Sequence, residues 1–182
     1  MNETFRPEEL NKQGKDAFHR GDYAQAAENF SAAKVGYQAV RDEIHAAEMA
    51  NNASVAYLKG GQPQAALEAA QGTDAIFEAA GDKRRQAMAL GNYAAALEGL
   101  NRVGEAIEFY EKADQIFKDI GEHELRAVLL QSLSNLQFKS GRSFEGLANL
   151  NAGFEEGGKA SIKQRFLKFI TNLPLKYLTK SK

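Results

Sequence analysis

The sequence repeats itself every forty residues without an insertion or deletion. Gly21, Gly61, Asn101 and Gly141 mark the spacing, and the register extends from each of them in both directions. Five residues on comes a small residue, Ala26, Ala66, Ala106 or Gly146, followed at once by Ala27, Leu67, Ile107 or Leu147. Eleven residues before each marker stand Leu10, Ala50, Leu90 and Leu130. Sixteen residues after it, the first three units place Tyr37, Phe77 and Phe117, and Gly81 and Gly121 fall twenty after Gly61 and Asn101. A period of this length is the mark of a stacked repeat, in which each unit buries its apolar face only against its neighbours.

Between the markers the apolar spacing is helical. Leu10, Gln13, Gly14 and Ala17 share one face, as do Ala50, Ala53, Ser54 and Tyr57, at i, i+3, i+4 and i+7. Each unit therefore reads as a helix pair. First helices are expected at about 7–20, 44–59, 84–99 and 124–139, and second helices at about 23–40, 63–80, 103–119 and 143–156. Pro7 and Pro63 sit at first-turn positions, where a missing N–H costs little. Gly81 and Gly121 sit where a left-handed residue ends a helix. The expected fold is all-α: a right-handed superhelix of four antiparallel pairs, at about 7–40, 44–80, 84–120 and 124–157 within residues 1–158, plus a C-terminal amphipathic helix in 159–182. The small residues at one phase let paired helices approach closely, and the aromatic column fills the seam between pairs.

Two stretches carry a family resemblance. Ala106-Ile107-Glu108-Phe109-Tyr110-Glu111-Lys112-Ala113 resembles the second helix of a tetratricopeptide (TPR) repeat, and Gly21-Asp22-Tyr23-Ala24-Gln25-Ala26 resembles its turn and the start of that helix. The likeness covers about residues 7–156 and is nearest to the long-helix versions of kinesin light chains and of spindle-orientation and bacterial signalling scaffolds. It departs from the usual unit in length, and Leu10, Ala50, Leu90 and Leu130 stand where an aromatic usually opens the first helix. The resemblance implies a non-catalytic scaffold whose concave wall, lined by first helices, binds a peptide or partner segment. It also implies that asparagines along these helices hold ligand backbone; Asn51, Asn52 and Asn92 match that pattern, with Asn11 and Asn135 displaced along their helices.

The face of the first helices turned away from the buried stripe carries Asn11, Lys15 and Phe18, then Asn51, Val55 and Leu58, then Gly91, Ala95 and Glu98, and finally Gln131, Asn135 and Phe138, with Asn52 and Asn92 at the flank. Amide side chains both donate and accept, which suits pairing with a peptide backbone of any sequence. Phe18, Leu58 and Phe138 add apolar surface on the same side. A clamp for a C-terminal carboxylate needs several basic residues across adjacent first helices, and only Lys12 and Lys15 stand near one another.

Catalytic readings find no constellation. The chain has no cysteine, hence no thiolate nucleophile, disulfide or cysteine metal site. His19, His45 and His123 are scattered, so no metal or cofactor is expected. Gly153-Phe154-Glu155-Glu156-Gly157-Gly158-Lys159-Ala160 nearly spells a phosphate-binding loop, but Ala160 lacks the hydroxyl for magnesium, two glutamates repel phosphate and no strand precedes it. The N-terminus lacks the apolar core of a secretory signal, and nowhere do eighteen apolar residues run together, which predicts a cytoplasmic protein.

Charge divides the chain. All 24 acidic residues lie at or before Glu156 beside 16 basic ones, a net of −8, whereas 159–182 holds 7 basic residues and no acidic one. An acidic body argues against nucleic acid as a partner. In the tail Ile162, Phe166, Phe169, Ile170 and Leu173 share a helical face, with Lys159, Lys163, Arg165 and Lys168 in other directions, until Pro174 ends or kinks the helix. Three readings stand open: a cap packed on the fourth unit, a helix on an anionic membrane surface that makes the protein peripheral to the membrane, or docking to an acidic partner, including the body of another copy in a homo-oligomer. A membrane-peripheral or self-assembling structural protein is thus the alternative to a peptide-binding adaptor.

Overall fold

The computed structural model describes residues 6–156. They form α1 (Pro7–His19), α2 (Tyr23–Ala39), α3 (Glu43–Lys59), α4 (Pro63–Ala70), α5 (Thr73–Ala79), α6 (Lys83–Gly99), α7 (Val103–Ile120), α8 (His123–Lys139) and α9 (Ser143–Glu156), with no strand among the described residues. The chain divides into two compact units, one ending at Glu122 and holding α1–α7, the other beginning at His123 and holding α8 and α9. The amphipathic helix expected in 159–182 lies outside the described residues. The near phosphate loop straddles the limit: Gly153 to Glu156 are the last turn of α9, not a loop.

Helices end every twenty residues for one local reason. Gly21, Arg41, Gly61, Gly81, Asn101, Gly121 and Gly141 all take positive φ, between 60° and 82°. At each of them the next residue's N–H reaches back five positions to a helix carbonyl, as from Asp22 to Ala17 at 3.0 Å, Asp82 to Phe77 at 2.9 Å and Arg142 to Gln137 at 2.8 Å. This is the 6→1 bond of a Schellman end, and it reverses the chain in one residue. The following residue then caps the next helix: Asp22, Asp42 and Asp82 accept from the backbone N–H of Gln25, His45 and Arg85 at 3.2, 3.1 and 2.9 Å. These N–H groups hold the Asp42 and Asp82 carboxyls below their ordinary range, helped by the His45 and Arg85 side chains. A one-residue stop joined to a one-residue start produces the constant period.

The expected second helix at 63–80 is two helices. Gly72, with φ of 75°, separates α4 from α5 and stands immediately before Thr73, the first residue of α5. Thr73 Oγ1 lies 2.8 Å from Ala70 O, so its proton reaches a carbonyl that the interruption leaves without an in-helix partner. The other helices fall within a residue or two of the expected bounds.

The packing columns are as the spacing implies. Ala26, Ala66 and Ala106 are fully covered, Gly146 is buried, and Tyr37, Phe77 and Phe117 are 7%, 1% and 3% exposed. Helices approach closely enough at Gly14 that an added Cβ would lie 2.7 Å from the Phe30 ring. In the second unit the Ser134 hydroxyl donates to Gly146 O at 2.6 Å across the pair, and Glu156 accepts from both His123 and Arg126. Those two contacts hold the Glu156 carboxyl below its ordinary range, the His123 hydrogen bond contributing most.

Candidate partner-binding face

α1 and α3 stand side by side in the first unit, each packed on α2, and their outer faces form a groove of about 290 Å³ lined by Lys15, Phe18, His19, Phe30, Asn52 and Val55. Each side chain arrives there by helical spacing. Lys15, Phe18 and His19 follow one another at i, i+3 and i+4 on α1, and Asn52 and Val55 at i and i+3 on α3. Phe30 is 3% exposed and forms the floor, while Phe18 is braced by Tyr23, whose ring meets it edge-on at 5.3 Å. Lys15 and His19 are exposed, and Asn52 and Val55 are half-buried. The result is an apolar trough with basic groups on one wall and an amide on the other. Such a site takes an apolar side chain and pairs with the polar atoms beside it.

Four of the residues expected to bind a partner, Lys15, Phe18, Asn52 and Val55, therefore come together. Asn11 lies one turn before Lys15 on the same stripe of α1, and its Oδ1 is buried with no hydrogen-bond partner among the described residues. Asn51 turns elsewhere. It is 8% exposed, and its Oδ1 lies 3.3 Å from Thr73 Oγ1 and 3.5 Å from Asn92 Nδ2. The amides of Asn51 and Asn92 thus face each other and the α4–α5 interruption. Leu58 is half-buried against α6, where a Cβ on Gly99 would lie 3.2 Å from it. Gln131, Asn135 and Phe138 belong to the second unit; Gln131 is exposed, Asn135 is half-buried, and Phe138 lies against Gly146 of α9.

A second groove, of about 350 Å³, lies apart from the residues that the sequence singles out for binding. Asp74 of α5, Gln86 and Leu90 of α6, and Phe109, Lys112, Gln115 and Ile116 of α7 line it. Lys112 Nζ sits 4.6 Å above the Phe109 ring, whose other neighbour is Tyr93 at 4.7 Å. The signal available in the sequence was Phe109, Lys112 and Ile116 at i, i+3 and i+7, a half-apolar stripe beside the fully buried one. Among the described residues no group of three or more His, Asp or Glu is placed to hold a metal ion, and no helix is long and apolar enough to cross a membrane.

No family model matches the chain, and no curated protein matches it significantly. Solved structures do resemble it. The apo form of RapI aligns with TM-score 0.81 at 15% identity, covering 93% of this chain and 62% of that one. A kinesin light chain of Podosopora anserina with nearly identical TPR-like repeats aligns over 100% of both chains with TM-score 0.67 and 16% identity. This chain has a TPR-like helical-repeat fold. Aspartyl phosphate phosphatase F from Bacillus subtilis shares the arrangement at TM-score 0.81 and 14% identity, over 99% of this chain and 47% of that one. The TPR-like chain thus spans less than two thirds of the length of RapI and of the Bacillus subtilis protein. Its forty-residue period is accommodated by seventeen- and eighteen-residue helices such as α3, α6 and α7.

Proposed function

We propose that this TPR-like chain is a non-catalytic interaction scaffold that holds a peptide or partner segment on the outer face of its first helices, centred on the groove between α1 and α3. The observation that carries the reading is the convergence of Lys15, Phe18, Asn52 and Val55, from two repeats, over the buried Phe30 ring. Asn11 continues the same stripe one turn earlier on α1, with its Oδ1 turned inward and buried. Lys15 and His19 favour a segment with a carboxylate near its apolar anchor. Asn51 and Asn92 serve this face indirectly: by pairing with each other and with Thr73 they fix α3 against α5 and α6, which sets the position of Asn52 and Val55.

Peptides selected from a random library against the intact chain test the reading. Val55→Asp puts a carboxylate into the trough, and Lys15→Glu reverses the charge on its wall. Each is expected to weaken the selected peptides by about tenfold or more, whereas Gln115→Ala in the other groove leaves them unchanged. Peptides that bind the Val55→Asp and Lys15→Glu proteins as tightly as the parent overturn the assignment.

A further inference from the structure

The two grooves of the first unit are built the opposite way round. Between α1 and α3 the walls are first helices and the floor is Phe30 of a second helix. Between α5 and α7 the walls are second helices, and the floor is Gln86 and Leu90 of α6, 6% and 5% exposed. The grooves therefore open on opposite sides of the helix stack, and the second is a site in its own right.

Packing does not require the residues that line it. At the seam between the first two repeats, forty residues earlier, Ala46 and Ala50 stand where α6 has Gln86 and Leu90, and Ala69 and Gly72 stand where α7 has Phe109 and Lys112. There Ala69 packs directly on the core of the first repeat. Lys34 stands where the second seam has Asp74, so the sign of that wall is reversed. The second seam thus buries an amide where the repeat before it holds alanine, which costs stability unless the polar atoms find partners. Lys83 Nζ, which can only donate, reaches Gln86 Oε1 at 3.0 Å. That contact commits the oxygen and leaves the NH2 group to face the groove.

The walls carry opposite charges. On α7 the Lys112 ammonium lies 4.6 Å above the Phe109 ring, and Tyr93 backs that ring at 4.7 Å. On α5 Asp74 follows Thr73, whose bonds to Ala70 O and the Asn51 amide fix where the helix begins. Both walls are therefore held by the protein's own contacts, which lowers the cost of ordering them around a ligand.

We propose that this groove docks a peptide segment of mixed charge. A large apolar side chain lies over Leu90 and Ile116, a carboxylate on one side of it meets Lys112, and a cation on the other meets Asp74. The Gln86 NH2 group donates to a backbone carbonyl of the segment. A groove of about 350 Å³ is at the small end of ligand sites, which suits one such side chain. A segment of a single charge sign leaves one wall facing a like charge.

Blocked peptides Lys-Leu-Glu, Glu-Leu-Lys, Lys-Leu-Lys and Glu-Leu-Glu, titrated into the intact chain with labelled methyl groups, test the proposal. A mixed-charge peptide is expected to shift the Leu90 and Ile116 methyl resonances and to bind about fivefold tighter than either peptide of single sign. Lys112→Glu is expected to turn the ranking in favour of Lys-Leu-Lys, whereas Lys118→Glu, the same charge change farther along α7 and outside the groove, leaves the ranking as it was. Gln86→Met removes the donor at similar volume and is expected to weaken every peptide by about threefold, whatever its charge. No shift at these methyls with millimolar peptide, shifts confined to the Val55 methyls, or a ranking that Lys112→Glu leaves unchanged overturns the proposal. So do shifts at Leu90 and Ile116 that grow with protein concentration alone, which assign the groove to a second copy. Equal binding by Gln86→Met overturns the assignment of the donor.

Discussion

Repeats two and three obey the same register yet build their second helices differently. Both place a buried alanine, Ala66 or Ala106, then Leu67 or Ile107, then ten residues later Phe77 or Phe117. In repeat three these columns lie on one continuous helix, α7; in repeat two the chain lets go at Gln71 and Gly72 and starts again at Thr73. The columns survive because Gly72 accepts a left-handed φ of 75° and because Thr73 repairs the interruption with its own hydroxyl. The repair also has a partner: Thr73 Oγ1 reaches Asn51 of the first helix in the same repeat. In α7 the equivalent of Thr73 is Ala113, which is fully buried and offers no such bond. A periodic pattern thus states where a side chain must be buried, not whether the backbone between two such positions is unbroken.

The largest effect that tests this comparison is at the aromatic column. Phe77→Ala and Phe117→Ala are each expected to cost about 3–5 kcal/mol in urea unfolding, because both rings are almost fully buried. A much smaller loss at Phe77 would mean that the interrupted helix relaxes around the cavity and that the two repeats are not equivalent in packing. Next comes the repair itself. Thr73→Val keeps the shape but leaves Ala70 O without the hydroxyl proton, at about 1–3 kcal/mol, and Thr73→Ser should recover most of it. If Val is neutral, the hydroxyl does not hold the interruption together.

The smallest effect concerns how the two repeats begin. Repeat three opens α6 with Asp82, whose carboxylate caps the Arg85 N–H, while its second helix α7 follows Arg102 with no side-chain cap. Asp82→Ala should cost about 1 kcal/mol at neutral pH, measured by thermal unfolding. Because folding holds the Asp82 and Glu156 carboxyls below their ordinary range, the stability they contribute is complete above that range. It is lost as pH falls through the lowered folded values. Asp82→Asn should flatten the acid limb of the stability profile, and an unchanged limb would show that the cap is not what titrates.

Much of the fold is legible in the sequence. Helix ends are written in single residues, since a left-handed position followed by a capping aspartate is a local device that needs no tertiary partner. Arg41 was the least legible of these ends, because an arginine at φ of 61° carries no turn signal of its own and is fixed by the Asp42 N–H bonding back to Tyr37 O at 2.9 Å. The interruption at Gly72 has a local sign in Gly72-Thr73-Asp74, a turn-like triplet, but the columns of Leu67 and Phe77 keep their register past it, so the spacing alone reads as one helix. In the candidate site, Lys15, Phe18, Asn52 and Val55 converge as their helical faces imply. Asn51 does not join them, because its neighbour Thr73 exists as a helix start only where α5 begins anew.

The amino-acid order settles period, helix content, turn positions and the identity of the buried columns, since each depends on spacing along the chain and on the conformational preference of one or two residues. Which polar side chains on the first helices face solvent, and which are drawn into hydrogen bonds such as Asn51 with Thr73 and Asn92, depends on segments 22 and 41 residues away. So do the two grooves, whose walls come from different repeats. Those features are set by how helices lie against one another, and helix spacing alone does not encode a contact between side chains that only packing brings together.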